Sequence, residues 1–148
     1  MIVVLYQPEI PQNTGNIGRL CVATQTPLYL VRPLGFQIDA KEIRRSGLDY
    51  WEHLDYRLFD SLDDIAAEYP HARCWYLSTK GQRSYTEIEY QNSDILVFGS
   101  EGSGLTPEIY ATKQDQLIHI PQWGPVRSLN LATAVGIVLY EAYRQIRL

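Results

Sequence analysis

Between Leu96 and Leu105 the chain reads LVFGSEGSGL, an apolar run with the character of a buried strand that opens directly into Gly99, Gly102 and Gly104. Glycine at such a junction lets backbone N–H groups approach a ligand with no Cβ in the way and permits positive φ in a tight turn. A strand that empties into a loop of this kind usually holds a nucleotide-like molecule. The order of the glycines is GxxGxG, the reverse of the dinucleotide fingerprint, and no Lys-Ser/Thr pair follows as a phosphate loop requires. The ligand therefore need not be a dinucleotide or a triphosphate.

The 148 residues fit a single domain spanning 1–148, large enough to bury about two thirds of its unfolded surface. MIVVLYQPEI at the N-terminus has no basic leader and only a short apolar run before Pro8, so it reads as a first strand and not as a signal peptide. The longest apolar stretch, Val135 to Tyr140, is too short to span a bilayer, and a cytoplasmic protein is expected. Cys21 and Cys74 fall inside regular segments and are expected to be free buried thiols. A net charge of −4 argues against gripping nucleic acid through a general basic field, so any RNA contact must come from local patches.

Short apolar runs alternate with helical patterns along the chain. Ile2 to Tyr6, Leu28 to Val31, Arg73 to Leu77, Ile95 to Phe98 and Leu117 to Ile120 read as buried strands bounded by Pro, Gly or Asn. Thr14 to Thr24 has helical spacing, Ser61 is placed to cap SLDDIAAEY, and Pro107 stands where the first turn of another helix would begin. The alternation predicts an α/β fold, a mostly parallel sheet with helices on both faces. Leu129 to Ile146 is the longest helix candidate and is apolar on more than one face. One face can pack on the sheet while another is left for a second subunit, so a homodimer is expected, with deep burial in a monomer as the competing reading.

Three polar clusters fall just beyond predicted strands: PQNTGNIGR (Pro11 to Arg19), FGSEGSG (Phe98 to Gly104) and IPQWGPVRSLN (Ile120 to Asn130). Ligands of open α/β sheets gather outside the carboxyl ends of strands, so three such loops can converge on one site. These clusters carry NxGNxxR (Asn13, Gly15, Asn16, Arg19), FGxEGxG and IP…SLN (Ile120, Pro121, Ser128, Leu129, Asn130). In this order they resemble the motifs of the SPOUT class of S-adenosylmethionine-dependent RNA ribose 2′-O-methyltransferases. With LYQPEIPQN, RRSGLDYW and LYEAYRQ the resemblance covers almost the whole chain, and it is nearest to the small single-domain enzymes that act on the wobble nucleotide, cytidine or uridine 34, of tRNA. One departure stands out: where relatives place Met or similar residues, QWGPV lies between Pro121 and Arg127.

The resemblance implies a C-terminal trefoil knot that makes the cofactor pocket and an obligate homodimer with active sites at the interface. It also implies S-adenosylmethionine as methyl donor, S-adenosylhomocysteine as product, tRNA as partner, and neither metal nor membrane. A pocket for that donor needs apolar walls, backbone groups for the adenine edge and no full negative charge held against the sulfur. Leu77, Ile120 and Leu129 can supply walls, and the backbone at Ser78, Thr79, Gly99, Glu101 and Ser128, with Asn130 beside them, can supply hydrogen bonds. Ser128 and Asn130 can equally cap the last helix. His53, His71 and His119 show no metal-ligand spacing, and His119, alternating with apolar neighbours, reads as a satisfied structural histidine.

By resemblance the catalytic residue is Arg19. A guanidinium stays protonated, so its expected role is to bind the RNA phosphate and stabilise a developing alkoxide while the phosphate or a water takes the proton. Asn16 is expected to orient Arg19 or the ribose. For the substrate, Arg44, Arg45 and Ser46 read as a loop reaching for tRNA, with Lys41 nearby, Tyr50 and Trp51 available either for stacking or as core anchors, and Tyr143 and Arg144 as further candidates either for RNA or for the dimer interface. Two other classes stay open: a non-catalytic RNA-binding dimer of the same fold, or a nucleotide-binding oxidoreductase, which NTGNIG at the first βα junction disfavours. Within the enzyme class, methylation at another RNA site is the alternative.

Overall fold

The computed structural model describes residues 1–38 and 49–148. Strand β1 (Ile2–Tyr6) leads to helix α1 (Pro11–Thr24), and β2 (Leu28–Val31) and β3 (Tyr56–Phe59) follow, with a 3-10 turn at Asp49–His53 between them. Then come α2 (Leu62–Glu68), β4 (Cys74–Leu77), β5 (Arg83–Ser84), β6 (Ile95–Phe98), α3 (Pro107–Thr112), β7 (Leu117–His119) and α4 (Leu131–Arg147). The strands form one sheet in the order β3-β2-β1-β6-β4-β7-β5, and every neighbouring pair is parallel.

Two apolar layers cover this sheet because successive side chains of a strand point to opposite faces. On β1, Val3 and Leu5 join α1 and α4 through Ile17, Cys21, Val135, Val138 and Leu139, while Ile2 and Val4 join α2 and α3 through Ile65 and Ile109. Strands buried on both faces are continuous apolar runs, which is how IVVLY and ILVF read. The five expected strands are present, β4 starting one residue later than Arg73 and β7 ending at His119 before Ile120.

The two unexpected strands are the sheet edges. β3 exposes Arg57 and Leu58, and β5 has two residues, so neither carries the apolar signature of an inner strand. Helix α1 starts at Pro11, ahead of the expected Thr14, because a proline's missing N–H costs nothing in a first turn. Ser61 caps α2 by accepting from the Asp64 N–H, and α4 begins at Leu131 because Asn130 is its N-cap.

The connection 78–82 shapes the end of the sheet that matters for function. Leu77 on β4 and Arg83 on β5 are both level with Ile118 of β7, so this short segment must straddle β7 to join its two neighbours. The Ser78 N–H donates to the Ile118 carbonyl at 2.9 Å. A Cβ on Gly81 would lie 2.5 Å from the Ile118 carbonyl carbon, which is why the strap carries a glycine there.

Candidate active site

The carboxyl ends of β4, β6 and β7 open onto a cavity of about 630 Å³, within the usual range for a small-molecule site. Loop 78–80 follows β4, the glycine loop follows β6, and 120–130 runs from β7 to the start of α4. All nine residues expected at a cofactor pocket line it: Leu77, Ser78, Thr79, Gly99, Glu101, Ile120, Ser128, Leu129 and Asn130. Phe98, Leu131 and Ala134 add apolar wall.

The glycine loop is a closed hairpin. The Ser100 N–H donates to the Gly104 carbonyl at 3.1 Å and the Gly104 N–H returns to the Ser100 carbonyl at 2.9 Å, with Gly104 at φ 67°. A Cβ on Gly99 would meet the Gly104 carbonyl carbon at 2.3 Å, so this close return of the chain needs glycine at 99 and favours it at 104.

Glu101 organises the other two loops. Its carboxylate accepts from the Glu9 N–H at 2.7 Å, the Ile10 N–H at 3.1 Å and Asn13 Nδ2 at 3.3 Å. The N-cap of α1 has no side-chain cap of its own, so Glu101 supplies the negative charge that a helix N-terminus favours. Asn13 is buried, and its Oδ1 accepts from Asn130 Nδ2 at 2.9 Å, while Asn130 Oδ1 accepts from the Thr133 N–H at 3.2 Å. One chain of hydrogen bonds thus ties together all three polar clusters. Glu101 is the one carboxylate among the described lining residues, and it is turned away to hold α1.

Sequence reasoning did not single out Asn13 as a site residue, although it stands in the first motif. It also missed Tyr110, whose hydroxyl accepts from Ser78 Oγ at 3.2 Å and whose ring lies 4.5 Å from Lys80 Nζ, joining the strap to α3. Nothing local announces Tyr110, since its role depends on two loops meeting. His119 departs from expectation, because its buried Nδ1 has no partner among the described residues. Cys21 and Cys74 are free.

Arg19 and Asn16 lie on the exposed face of α1 and do not line this cavity. The Tyr50 hydroxyl donates to the Gly15 carbonyl at 2.5 Å, and burial raises its pKa while the Arg19 charge opposes the rise. Trp51 packs on Tyr56 at 5.0 Å, and a Cβ on Gly18 would lie 3.1 Å from its ring. Both aromatics are therefore anchors for α1 and not free stacking surfaces. Tyr143, expected at RNA or at the dimer interface, is buried with its hydroxyl 2.5 Å from Thr26 Oγ1, so packing claims it. Arg144 is exposed but forks onto Glu141 at 2.8 and 3.0 Å, which holds that carboxyl below its usual range. Lys41, Arg44, Arg45 and Ser46 lie outside the described residues. Among the described residues no His/Cys/Asp/Glu group is arranged to hold a metal ion.

Residues 1–140 match the model of the SpoU rRNA methylase family. The chain belongs to the SpoU methylase family. A tRNA (cytidine(34)-2′-O)-methyltransferase of Escherichia coli (strain K12) is 46% identical, over 97% of this chain and 92% of that protein. A solved structure described as giving insights into the 2-OH methylation of C/U34 on tRNA is 48% identical, with a TM-score of 0.90 over 97% of this chain and 94% of its own. An AdoMet-bound rRNA methyltransferase from Sinorhizobium meliloti is 27% identical with a TM-score of 0.83, this chain covering 57% of it. The α/β sheet with its helices is thus the fold this chain shares with solved SpoU methyltransferases.

Proposed function

We propose that the chain is a methyltransferase that moves a methyl group from S-adenosylmethionine to the 2′-hydroxyl of nucleotide 34, cytidine or uridine, in tRNA. The carrying observation is the Glu101–Asn13–Asn130 hydrogen-bond chain, which closes three distant motif loops around one cavity in a protein 46% identical to a tRNA (cytidine(34)-2′-O)-methyltransferase along nearly its full length.

The cavity's residues fit the donor. Leu77, Ile120 and Leu129 offer apolar wall for a purine, backbone groups of the strap and glycine loop offer donors and acceptors, and the engaged Glu101 leaves no free carboxylate among the described residues of the wall. S-adenosylmethionine, when bound, supplies an electrophilic methyl on its sulfonium. Arg19 binds the RNA phosphate beside the target ribose and stabilises charge growing on the 2′-oxygen, and the phosphate or a water accepts the proton. Asn16, one turn earlier on the same exposed face, orients Arg19 or the ribose.

An active site shared between two copies reconciles an Arg19 that faces away from its own cavity with a role in transfer. The homodimer reading is supported by α4, where Leu131, Ala132 and Ile137 are only half covered and Tyr140 is exposed. The straddling of β7 by 78–82 supports the reading that the C-terminal part is threaded as a trefoil knot in a single domain. Among the described residues no helix is long and apolar enough to cross a membrane, and a tRNA substrate makes the cytoplasm the expected workplace.

The test is incubation with S-adenosylmethionine and tRNA from a strain that lacks the modification, followed by mass spectrometry of nucleosides. Methylated cytidine or uridine mapped to position 34 is expected, while Arg19→Ala keeps S-adenosylhomocysteine affinity and loses transfer. Methylation at a different position would move the substrate assignment, and near-normal turnover by the variant would remove Arg19 from the chemistry.

A further inference from the structure

The loop between Pro121 and Arg127 holds the most exposed large aromatic residue among those described: Trp123 is 93% exposed, and Val126 beside it is 61% exposed. A tryptophan in water forfeits its large apolar contribution to folding, and this one makes no aromatic or cation–π contact among the described residues. The loop's backbone is nevertheless restricted: Pro121 and Pro125 fix their own φ, and the Val126 N–H closes a tight turn onto the Gly124 carbonyl at 2.9 Å. An ideal Cβ on Gly124 would find nothing within 4 Å, so the turn stands clear of the body. Its position is fixed by its neighbours, since Gln122 and Arg127 on either side both line the cavity. Trp123 therefore projects at the cavity's rim.

We propose that Trp123 is a stacking platform for an unpaired base of the RNA substrate, next to the nucleotide being methylated. This rests on the reading of the chain as an RNA ribose methyltransferase. The chemistry favours RNA over a second copy of the chain. The segment from Ile120 to Asn130 contains no acidic residue, Arg127 makes no ion pair among the described residues, and Lys80 on the facing strap adds a second cation at the cavity wall. A flat exposed indole flanked by cations suits a base with its phosphates, because stacking uses a π-face that every base has while the cations meet the backbone. This arrangement gives a protein of net charge −4 a local RNA contact in place of a general basic field.

The experiment measures binding of the full-length protein, saturated with S-adenosylhomocysteine, to a synthetic anticodon stem-loop RNA by fluorescence anisotropy, for wild type, Trp123→Ala and Trp123→Phe. Trp123→Ala is expected to weaken RNA binding roughly tenfold. Trp123→Phe should recover most of that loss, and the melting temperature, molar mass and S-adenosylhomocysteine affinity should stay unchanged in both. In turnover, KM for RNA should rise with little change in kcat, and an abasic site at the stacked position should abolish the difference between wild type and Trp123→Ala. RNA affinity unchanged in Trp123→Ala would overturn the proposal, as would a fall in molar mass, which would assign the surface to a second copy. Failure of the wild type to methylate any RNA while the binding difference persists would instead strike the activity and leave the platform standing.

Discussion

Asn130 donates its Nδ2 to Asn13 Oδ1 at 2.9 Å across 117 residues of chain, joining the cap of α4 to the first turn of α1. The same Asn130 side chain caps α4 through the Thr133 N–H, so one residue both starts a helix and closes the cavity. These roles can be separated. Serine keeps a cap oxygen but cannot reach Asn13, so Asn130→Ser should cost about 1–2 kcal/mol, mainly by leaving the buried Asn13 Oδ1 without a donor. In a double-mutant cycle with Asn13→Ala, denaturant unfolding should give a coupling of roughly 1 kcal/mol. Strict additivity would mean the contact carries no energy.

Glu101 takes three N–H donors on two carboxylate oxygens. Glu101→Gln keeps the shape but turns an NH2 group toward at least one of those donors and removes the charge at the N-terminus of α1. A loss of about 1–3 kcal/mol is expected, with a weakened affinity for S-adenosylhomocysteine because the glycine loop is no longer tied to α1. Thermal unfolding and calorimetry check the two halves, and unchanged values in both would show that the charge at α1 is dispensable.

Much of this was legible in the residues themselves. Inner strands β1, β2 and β6 are continuous apolar runs, and the nine residues expected at a cofactor line the cavity from the end of β4 and from the loops after β4, β6 and β7. Edge strands were not legible, since β3 exposes Arg57 and Leu58 and two-residue β5 has no pattern to read. RRSGLDYW suggested stacking aromatics, yet Gly18 leaves a shallow place on α1 that Trp51 fills, and Tyr50 satisfies the Gly15 carbonyl. Tyr143 looked available because one turn of helix does not reveal that Thr26, at the end of a distant segment, meets its hydroxyl. Contacts of this range are set by tertiary packing, which local spacing does not encode.

Two glycines offer a matched pair. A Cβ at Gly99 would lie 2.3 Å from the Gly104 carbonyl carbon, whereas one at Gly124 would touch nothing within 4 Å. Gly99→Ala must open the hairpin that closes on Ser100, so it should lower stability by about 2 kcal/mol or more and abolish S-adenosylhomocysteine binding. Gly124→Ala should change stability by less than about 0.5 kcal/mol. Calorimetric titration and unfolding of both variants read the contrast, and a Gly99→Ala protein that binds normally would remove the hairpin from the cofactor site.

Cys21 gives the pH dependence a definite sign. It is buried between α1 and the sheet, and burial pushes its thiol up to about 12 from an ordinary value near 9. The folded state thus binds the thiol proton more tightly than the unfolded chain does. The stability from keeping this thiol neutral is fully present below pH 9 and is lost as pH climbs from there toward 12. Cys21→Ala removes the titrating group, at the cost of a small cavity, so its unfolding free energy should fall less steeply over that interval than the wild type's. Because the thiolate is the nucleophile, iodoacetamide at pH 9 should modify Cys21 in the folded protein only at the rate of opening, and at full rate in denaturant. Rapid native-state alkylation, located by peptide mass spectrometry, would show that α1 does not seal the thiol.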